Sequence, residues 1–255
     1  MLRLTDPTHR AEAVDHLIAG EIIVTAFNGI FVLVGDADEP TVAQKVAAAK
    51  GRSQAKGVAL VCPPEFLAEH VALNAPALQK TYPFARIEAL YHAVHAVGLI
   101  LPAALPGAPP HVVQEGTILN VWTEERPVSP LRQLVLELRR RGHRALAGTS
   151  ANRAGEPTIT DPTRVTEVFA DRVPLMLLDT VDGVPPERRR SASIVDVTGP
   201  IPRLVREGSV PAEELRVELR HLGLGELHRR ERDSRIGEAR AANFGHDRQG
   251  ASDAR

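Results

Sequence analysis

Short apolar segments typical of β-strands alternate with amphipathic segments typical of α-helices along residues 21–223. The strand patterns cover residues 21–27, 57–62, 117–122, 173–179, 192–197 and 202–207. The helix patterns cover residues 38–50, 64–73, 85–97, 129–142, 161–169 and 211–223. Because the two kinds of segment mix instead of forming separate blocks, the sequence predicts an α/β or α+β fold in one domain.

The best-defined helix signal covers residues 129–142. Ser129 can cap its N-terminus, Pro130 fits its first turn, and Gly142 favours its end. The same kind of start signal recurs at Asp161. The apolar stripe of the first helix consists of Leu131, Leu134, Val135 and Leu138.

Charge and cysteine content exclude several classes of protein. The 255 residues carry a net charge of −1, so no global field draws the chain to nucleic acid or to an anionic membrane. Cys62 is the only cysteine, which excludes an intramolecular disulfide and a Cys-rich metal site. The chain has no signal-peptide pattern, and no apolar run approaches the roughly 18 residues needed to span a bilayer. We therefore expect a cytoplasmic protein without a membrane-spanning segment.

The composition changes at Gly225. Residues 225–255 combine mixed charge with almost no apolar side chains, so they cannot bury enough surface to become ordered. The sequence therefore predicts a domain over residues 1–224 and a disordered polar tail over residues 225–255.

Two polar segments are candidates for binding an anion. "KGRSQAK" (50–56) places Lys50 and Arg52 on one face if the segment is extended, and Lys56 follows closely. "GTSANRAGEPT" (148–158) concentrates hydroxyl and amide groups and is either a turn or part of a ligand site. The chain has neither a P-loop motif nor G-x-G-x-x-G after a strand, so a nucleotide would bind without a glycine-rich cradle.

Three other functional interpretations have weaker support in the sequence. His92 and His95 are spaced to share a metal on one helix, but His95 falls on the apolar stripe, so we expect packing and no metal site. The arginines of residues 139–144 and 187–191 either contact RNA phosphates or are simply solvated. A Ser-His-Asp hydrolase is disfavoured because the G-x-S-x-G motif is missing.

In order and spacing, a set of motifs resembles that of the YrdC/YciO family over roughly residues 15–215. "SANRAGEPT" (150–158) is the most specific of them. The matching segments are "KGR" with Lys50 and Arg52, "SANRAGEPT" with Ser150 and Asn152, "ASIVDV" with Ser193, and "REG" with Arg206.

The resemblance implies a twisted, mixed, open α/β sheet with flanking helices and a large concave cavity. Characterised family members make threonylcarbamoyl-AMP from ATP, threonine and bicarbonate for tRNA modification, and pyrophosphate leaves. ATP, with or without Mg²⁺, is the implied substrate, AMP a related ligand, and tRNA or double-stranded RNA the implied macromolecular partner. By position, the implied nucleotide and phosphate ligands are Lys50, Arg52, Lys56, Ser150, Asn152, Ser193 and Arg206.

The chain departs from the family where members hold the substrate amino acid. Their Pro-Thr-Asp-Thr segment aligns with "AFNGIFVL" (26–33), where Asn28 stands for the Asp and both Thr positions are lost. Losing a carboxylate and two hydroxyls removes partners that an ammonium and a hydroxyl would need. We therefore expect a degenerate amino-acid site at Phe27, Asn28 and Phe31, beside a better preserved phosphate site.

The sequence thus predicts a nucleotidyltransferase that resembles threonylcarbamoyl-AMP synthases, with no individual catalytic residue assigned. Two alternatives stay open. One is a non-catalytic RNA-binding or regulatory module on the same fold. The other is a carbamoyl or acyl transferase with a different small substrate in an apolar pocket around Phe27 and Phe31. All three require the cations near residue 50 and the loop near residue 150 to share a cavity.

Overall fold

One mixed β-sheet of eleven strands runs through the part of the chain that the computed structural model describes, residues 2–53, 57–123, 129–179 and 184–229. The strands are β1 (Ile22–Phe27), β2 (Ile30–Asp36), β3 (Ala59–Val61), β4 (Ala96–Pro102), β5 (Val113–Gln114), β6 (Thr117–Thr123), β7 (Leu146–Ser150), β8 (Leu175–Met176), β9 (Ser193–Asp196), β10 (Arg203–Arg206) and β11 (His228–Arg229). Their order in the sheet is β11-β10-β9-β4-β6-β3-β7-β2-β1-β8, and β5 pairs with β6 outside this path. The predicted mixed α/β sheet with flanking helices is confirmed.

Six α-helices flank the sheet within the described residues. They are α1 (Pro7–Ile18), α2 (Val42–Lys50), α3 (Phe84–Ala93), α4 (Pro130–Arg140), α5 (Pro162–Phe169) and α6 (Ala212–His221). The predicted caps of two of them are confirmed: Ser129 accepts a hydrogen bond from the Arg132 amide at 3.2 Å, and Asp161 accepts from the Thr163 amide at 2.7 Å. Each cap satisfies a backbone donor that the first turn would otherwise leave unpaired.

An Asn-Gly turn joins β1 to β2. Asn28 and Gly29 both have positive φ angles, 48° and 73°, which is the backbone geometry of a tight hairpin turn. The two strands pair in antiparallel register from Phe27 opposite Ile30 to Ile22 opposite Gly35. The apolar pattern had predicted only the first of these strands, over residues 21–27.

The helix predicted over residues 85–97 ends early. α3 stops at Ala93, and Ala96 begins β4, which occupies the middle of the sheet. His95 therefore lies between a helix and a strand, whereas His92 is exposed on α3. The two histidines do not share a helical face, and the spacing that suggested a shared metal does not apply.

The two faces of the sheet at β2 have different neighbours, and α2 packs on only one of them. Side chains alternate along a strand, so even-numbered and odd-numbered residues of β2 point in opposite directions. A Cβ at Gly35 would lie 2.3 Å from the Val42 side chain, so α2 packs directly on the odd-numbered face. Phe31 and Leu33 belong to that packed side and are fully buried.

The described fold extends beyond the boundary predicted at residue 224. Leu227 is buried, and His228 and Arg229 pair in parallel with Arg203 and Leu204 of β10. Residues 230–255 of the predicted tail lie outside the described residues. Among the described helices, none combines the length and apolar character that a bilayer crossing requires.

Candidate functional site

A cavity of about 910 Å³, including its open mouth, lies over the even-numbered face of β2. Its floor crosses β6, β3, β7 and β2, and Phe27 of β1 closes one side. Gly148 lies at the centre of the floor, paired with Val34 on one side and Ala59 on the other. The larger apolar side chains that line the cavity are Phe27, Ile30, Val32, Val34, Val61, Leu119 and Val121.

The two predicted anion-binding segments meet at this cavity. The Lys50 ammonium donates to the backbone carbonyl of Ser150 at 2.5 Å and to the side-chain oxygen of Asn152 at 3.1 Å. Ser150 Oγ donates to the same Asn152 oxygen at 2.6 Å. All three residues line the cavity, so the predicted convergence of residues near 50 and near 150 is confirmed.

The Asn152 side chain also shapes the loop after β7. Its amide nitrogen donates to the carbonyls of Arg153 and Glu156, at 3.0 and 2.7 Å. The Ala151 amide donates to the Phe31 carbonyl at 2.8 Å, which fastens the loop to β2. Asn152 therefore holds the loop and Lys50 in place, while the adjacent backbone and hydroxyl groups face the cavity.

Arg52 reaches the cavity by a different route from the one predicted. Lys50 is the last residue of α2, and Gly51 has a left-handed φ of 62°, so the segment is not extended. Arg52 Nη2 donates to the Gly57 carbonyl at 3.2 Å and lines the cavity beside it. Burial lowers the pKa of Arg52, although an arginine remains charged at neutral pH. Lys56 lies outside the described residues.

The structure brings Arg206 to the cavity but not Ser193. Arg206 Nη2 donates to the Ala192 carbonyl at 2.9 Å, and both residues line the wall. Ser193 is fully buried; its hydroxyl donates to the Val210 carbonyl at 2.5 Å and accepts from the Gly208 amide at 2.8 Å. Ser193, predicted as a nucleotide or phosphate ligand, therefore does not face the cavity, because its hydroxyl holds the loop after β10.

A different serine, Ser191, lies at the cavity where the prediction had put Ser193. It precedes β9 and lines the cavity. Its Oγ lies 2.9 Å from Oγ1 of Thr158, so the segments that contain residues 158 and 191 are joined beside the cavity.

Of the three residues predicted to form a degenerate amino-acid site, only Phe27 lines the cavity. Phe31 points to the helix-packed side, because it is out of phase with Ile30 and Val32 along β2. Its assignment to an apolar pocket is wrong. Asn28 is fully buried within the hairpin turn and is not among the lining residues.

The arginine clusters are engaged in ion pairs. Arg139 pairs with Glu69 at 2.6 Å, Arg141 with Asp15 at 3.2 Å, and Arg144 with Asp38. In the second cluster, Arg188 pairs with Glu214 at 2.8 Å. Much of the positive charge that suggested RNA contact is therefore balanced by neighbouring carboxylates.

A second polar group lies where β2 ends. Asp36, Asp38 and His143 bring potential metal-ligand atoms within 4.8 Å of one another. These atoms already have partners: His143 Nδ1 lies 2.5 Å from Asp36 Oδ2, and Arg144 Nε donates to Asp38 Oδ1 at 2.7 Å. Burial raises the pKa of Asp36. It acts in the same sense on Asp38, but bonds from Arg144 outweigh it and lower that pKa. The arrangement is a hydrogen-bonded network at the end of β2 that includes the Arg144–Asp38 ion pair.

His70 is fully buried near this network, and neither of its ring nitrogens has a hydrogen-bond partner. Burial, reinforced by the positive charge of Arg144, lowers its pKa to about 4. The imidazole is therefore neutral at physiological pH and acts as a packed core residue.

Comparisons with known proteins agree with this architecture. The Sua5/YciO/YrdC family model, described as "Telomere recombination", matches residues 15–208. No curated protein matches the chain.

Several solved structures share the fold at low sequence identity. Sua5 of P. abyssi complexed with L-threonine is 19% identical and has a TM-score of 0.68; the match covers 88% of this chain and 60% of that one. E. coli YciO is 16% identical with a TM-score of 0.65, covering 82% and 93%. Full-length HypF in the phosphate- and nucleotide-bound form is 17% identical with a TM-score of 0.59, covering 78% and 29%. The chain thus spans about three fifths of the length of the P. abyssi protein.

Proposed function

Because the chain belongs to the Sua5/YciO/YrdC family, we propose that its cavity binds ATP and transfers the adenylyl group to a small carboxylate-bearing substrate. The reaction is of the threonylcarbamoyl-AMP synthase type, carried out by a site whose amino-acid side has diverged. A cytoplasmic location belongs to the same proposal, and so does a YrdC-like domain that includes the described strand β11.

The contact of Lys50 with Ser150 and Asn152 is the observation that carries this proposal. It places an ammonium group at the cavity surface, and Arg52 and Arg206 add two guanidinium groups. Three fixed positive charges in a partly enclosed space suit the phosphates of a nucleotide. Ser150 and Ser191 line the same cavity, and in this proposal their polar groups contact the ribose and phosphates.

Bound ligands of two structural relatives support the same assignment. The P. abyssi Sua5 structure contains L-threonine, and the HypF structure contains phosphate and nucleotide. One relative thus binds an amino acid and another a nucleotide, which are the two kinds of ligand that the family reaction needs.

The proposed chemistry follows from the charges. A carboxylate or carbamate oxygen attacks the α-phosphorus of ATP, and pyrophosphate leaves. Lys50, Arg52 and Arg206 stabilise the negative charge that grows on the departing phosphates. Among the described residues that line the cavity, none is Asp or Glu, so this lining offers Mg²⁺ no carboxylate ligand. The three cations therefore neutralise the phosphates in this reaction.

An acyl or carbamoyl transferase with a substrate other than threonine is the second candidate. The apolar side chains of the cavity floor, with Phe27 at one end, favour it over a threonine-specific site. A non-catalytic RNA-binding module has less support, because three arginines of the first cluster and Arg188 of the second are ion-paired. Binding of tRNA or double-stranded RNA stays a prediction, which the salt dependence of RNA affinity would test.

Thermal unfolding with ATP, AMP and inorganic phosphate tests nucleotide binding, since a ligand that binds only the native state raises the melting temperature. Pyrophosphate release with threonine and bicarbonate then tests the family reaction. A melting temperature that does not change in millimolar ATP would contradict the proposed nucleotide binding. If ATP raises the melting temperature but threonine does not stimulate pyrophosphate release, the result would favour adenylyl transfer to a different substrate.

A further inference from the structure

The wall that the β1–β2 hairpin presents to the cavity is apolar. Phe27 lies opposite Ile30 in the strand pairing, and Val32 and Val34 continue the same face. Thr25 lies opposite Val32, but it is fully buried and is not among the residues that line the cavity. A ligand that touches this wall therefore meets hydrocarbon.

The apolar wall adjoins the positively charged part of the cavity. Val32 pairs directly with Ser150, whose carbonyl accepts the Lys50 ammonium at 2.5 Å. A molecule that lies against Phe27, Ile30 and Val32 can thus extend its polar end toward Lys50. The complementary molecule carries an anionic head on a hydrocarbon body.

We propose that the second substrate of this cavity is an apolar carboxylate, with an aliphatic or aryl-aliphatic chain, in place of threonine. This inference rests on the proposed adenylyl transfer and specifies its acceptor. A free α-amino acid brings an ammonium group, and threonine a hydroxyl as well. Both groups would lose water against the hairpin wall without gaining a partner there. Each CH₂ group buried against the same wall instead favours binding by about fourfold.

The reaction balances without another reactant. One carboxylate oxygen forms a bond to the α-phosphorus of ATP, and the bond between that phosphorus and the bridging oxygen to the β-phosphate breaks. The bridging electron pair leaves with pyrophosphate, and the product is an acyl-adenylate. No group is oxidised or reduced, and no proton is transferred at neutral pH because the acid is already ionised.

Exchange of ³²P-pyrophosphate into ATP measures this step directly. The panel comprises butanoate, hexanoate, 3-methylbutanoate and phenylacetate, with threonine plus bicarbonate as the competing substrate. We expect exchange with the apolar acids, and a KM that falls about fourfold per CH₂ until the wall is covered. Mass spectrometry of the mixture should show the matching acyl-AMP.

Variants of the wall connect the activity to its position. Phe27→Thr and Ile30→Thr should each raise the KM for hexanoate about tenfold, while the increase in melting temperature caused by ATP is retained. Val217→Thr makes a comparable change on the exposed surface of α6 and should leave the exchange unchanged. Urea unfolding identifies a wall variant that fails to fold, and the other variant then carries the comparison.

The outcomes separate this inference from the proposed function. Exchange with threonine and bicarbonate but with none of the apolar acids would overturn the inference and support the family reaction. An ATP-dependent increase in melting temperature with no exchange for any acid would overturn the inference and leave nucleotide binding in place. If ATP neither raises the melting temperature nor supports exchange, both are overturned.

Discussion

The ammonium nitrogen of Lys50 lies 3.1 Å from the side-chain oxygen of Asn152, a residue 102 positions later in the chain. The contact joins the C-terminal end of α2 to the loop after β7. It fixes a cation at the cavity surface before any ligand arrives, so binding an anion there costs little side-chain ordering.

Replacing Lys50 should weaken ATP binding. Lys50→Met keeps the aliphatic stem but removes the charge, and we expect affinity for ATP to fall by about 1–3 kcal/mol. Isothermal titration measures the change. Lys45→Met is the matched control, because Lys45 lies on the same helix and its ammonium contacts the Gly20 carbonyl. Equal losses in the two variants would show that the effect is not specific to the cavity. Arg52→Ala should weaken ATP binding by a similar amount.

Replacing Asn152 should affect stability as well as binding. Asn152→Ala removes two hydrogen bonds donated to loop carbonyls and the oxygen that accepts from both Lys50 and Ser150. We therefore expect the free energy of unfolding to fall by about 2–3 kcal/mol. Ser150→Ala removes one hydroxyl bond to Asn152 and should cost about 1 kcal/mol. Urea unfolding of both variants makes the comparison. A Ser150→Ala loss as large as that of Asn152→Ala would contradict the central place of the amide.

Two glycines with the same turn geometry separate backbone strain from crowding. Gly29 and Gly116 both have a φ of 73° and each follows a residue with a φ of 48°. A Cβ at Gly29 would lie 2.9 Å from Arg189 Cγ and 3.0 Å from Val184, whereas nothing lies within 4 Å of a Cβ at Gly116. We expect Gly116→Ala to cost about 1 kcal/mol for the left-handed backbone. Gly29→Ala should cost about 1–2 kcal/mol more. Equal losses of unfolding free energy in the two variants, measured by chemical denaturation, would show that Val184 and Arg189 move away from the new Cβ at little cost.

The buried His70 should make the protein sensitive to acid. The unfolded chain protonates this imidazole near its ordinary pKa of 6.5, whereas the native state keeps it neutral down to about pH 4. The unfolded state therefore binds a proton first as the pH falls, and the free energy of unfolding decreases between those values. His70→Leu removes this difference, so its stability relative to the wild type should rise by about 2 kcal/mol between pH 7 and pH 5. Urea midpoints at the two pH values give the comparison, and a constant gap would exclude titration of His70 as the cause.

The fold was predictable where a local signal decides the structure. Ser129 and Asp161 cap α4 and α5 as their sequence context indicated. β4 was missed because its apolar residues continue the stripe of α3, and no glycine or proline separates the two patterns near Ala93. The short apolar run in β4 therefore fits helix and strand equally well until the sheet decides between them.

The site was predictable in its cations and less so in its hydroxyl and aromatic groups. An Asn-Gly pair at residues 28 and 29 is itself a hairpin signal. A two-residue turn at Asn28 and Gly29 pairs Phe27 with Ile30, so Ile30 and Val32 share a face with Phe27 and Phe31 points to the other face. The orientation of Phe31 was therefore predictable from the sequence. The role of Ser193 was not predictable from the sequence, because its partners Gly208 and Val210 belong to a loop whose path depends on the tertiary structure.

Alternation along β2 gives each of its two faces a separate role. Ile30, Val32 and Val34 shape the hollow, while Phe31 and Leu33 anchor the strand to the helices behind it. Because the two sets of side chains alternate, exchanging one cavity-facing residue changes the surface that a ligand contacts and leaves the helix-facing residues themselves in place. We therefore expect point mutations on one face of β2 to change the ligand preference of the cavity without an insertion or a rearranged loop.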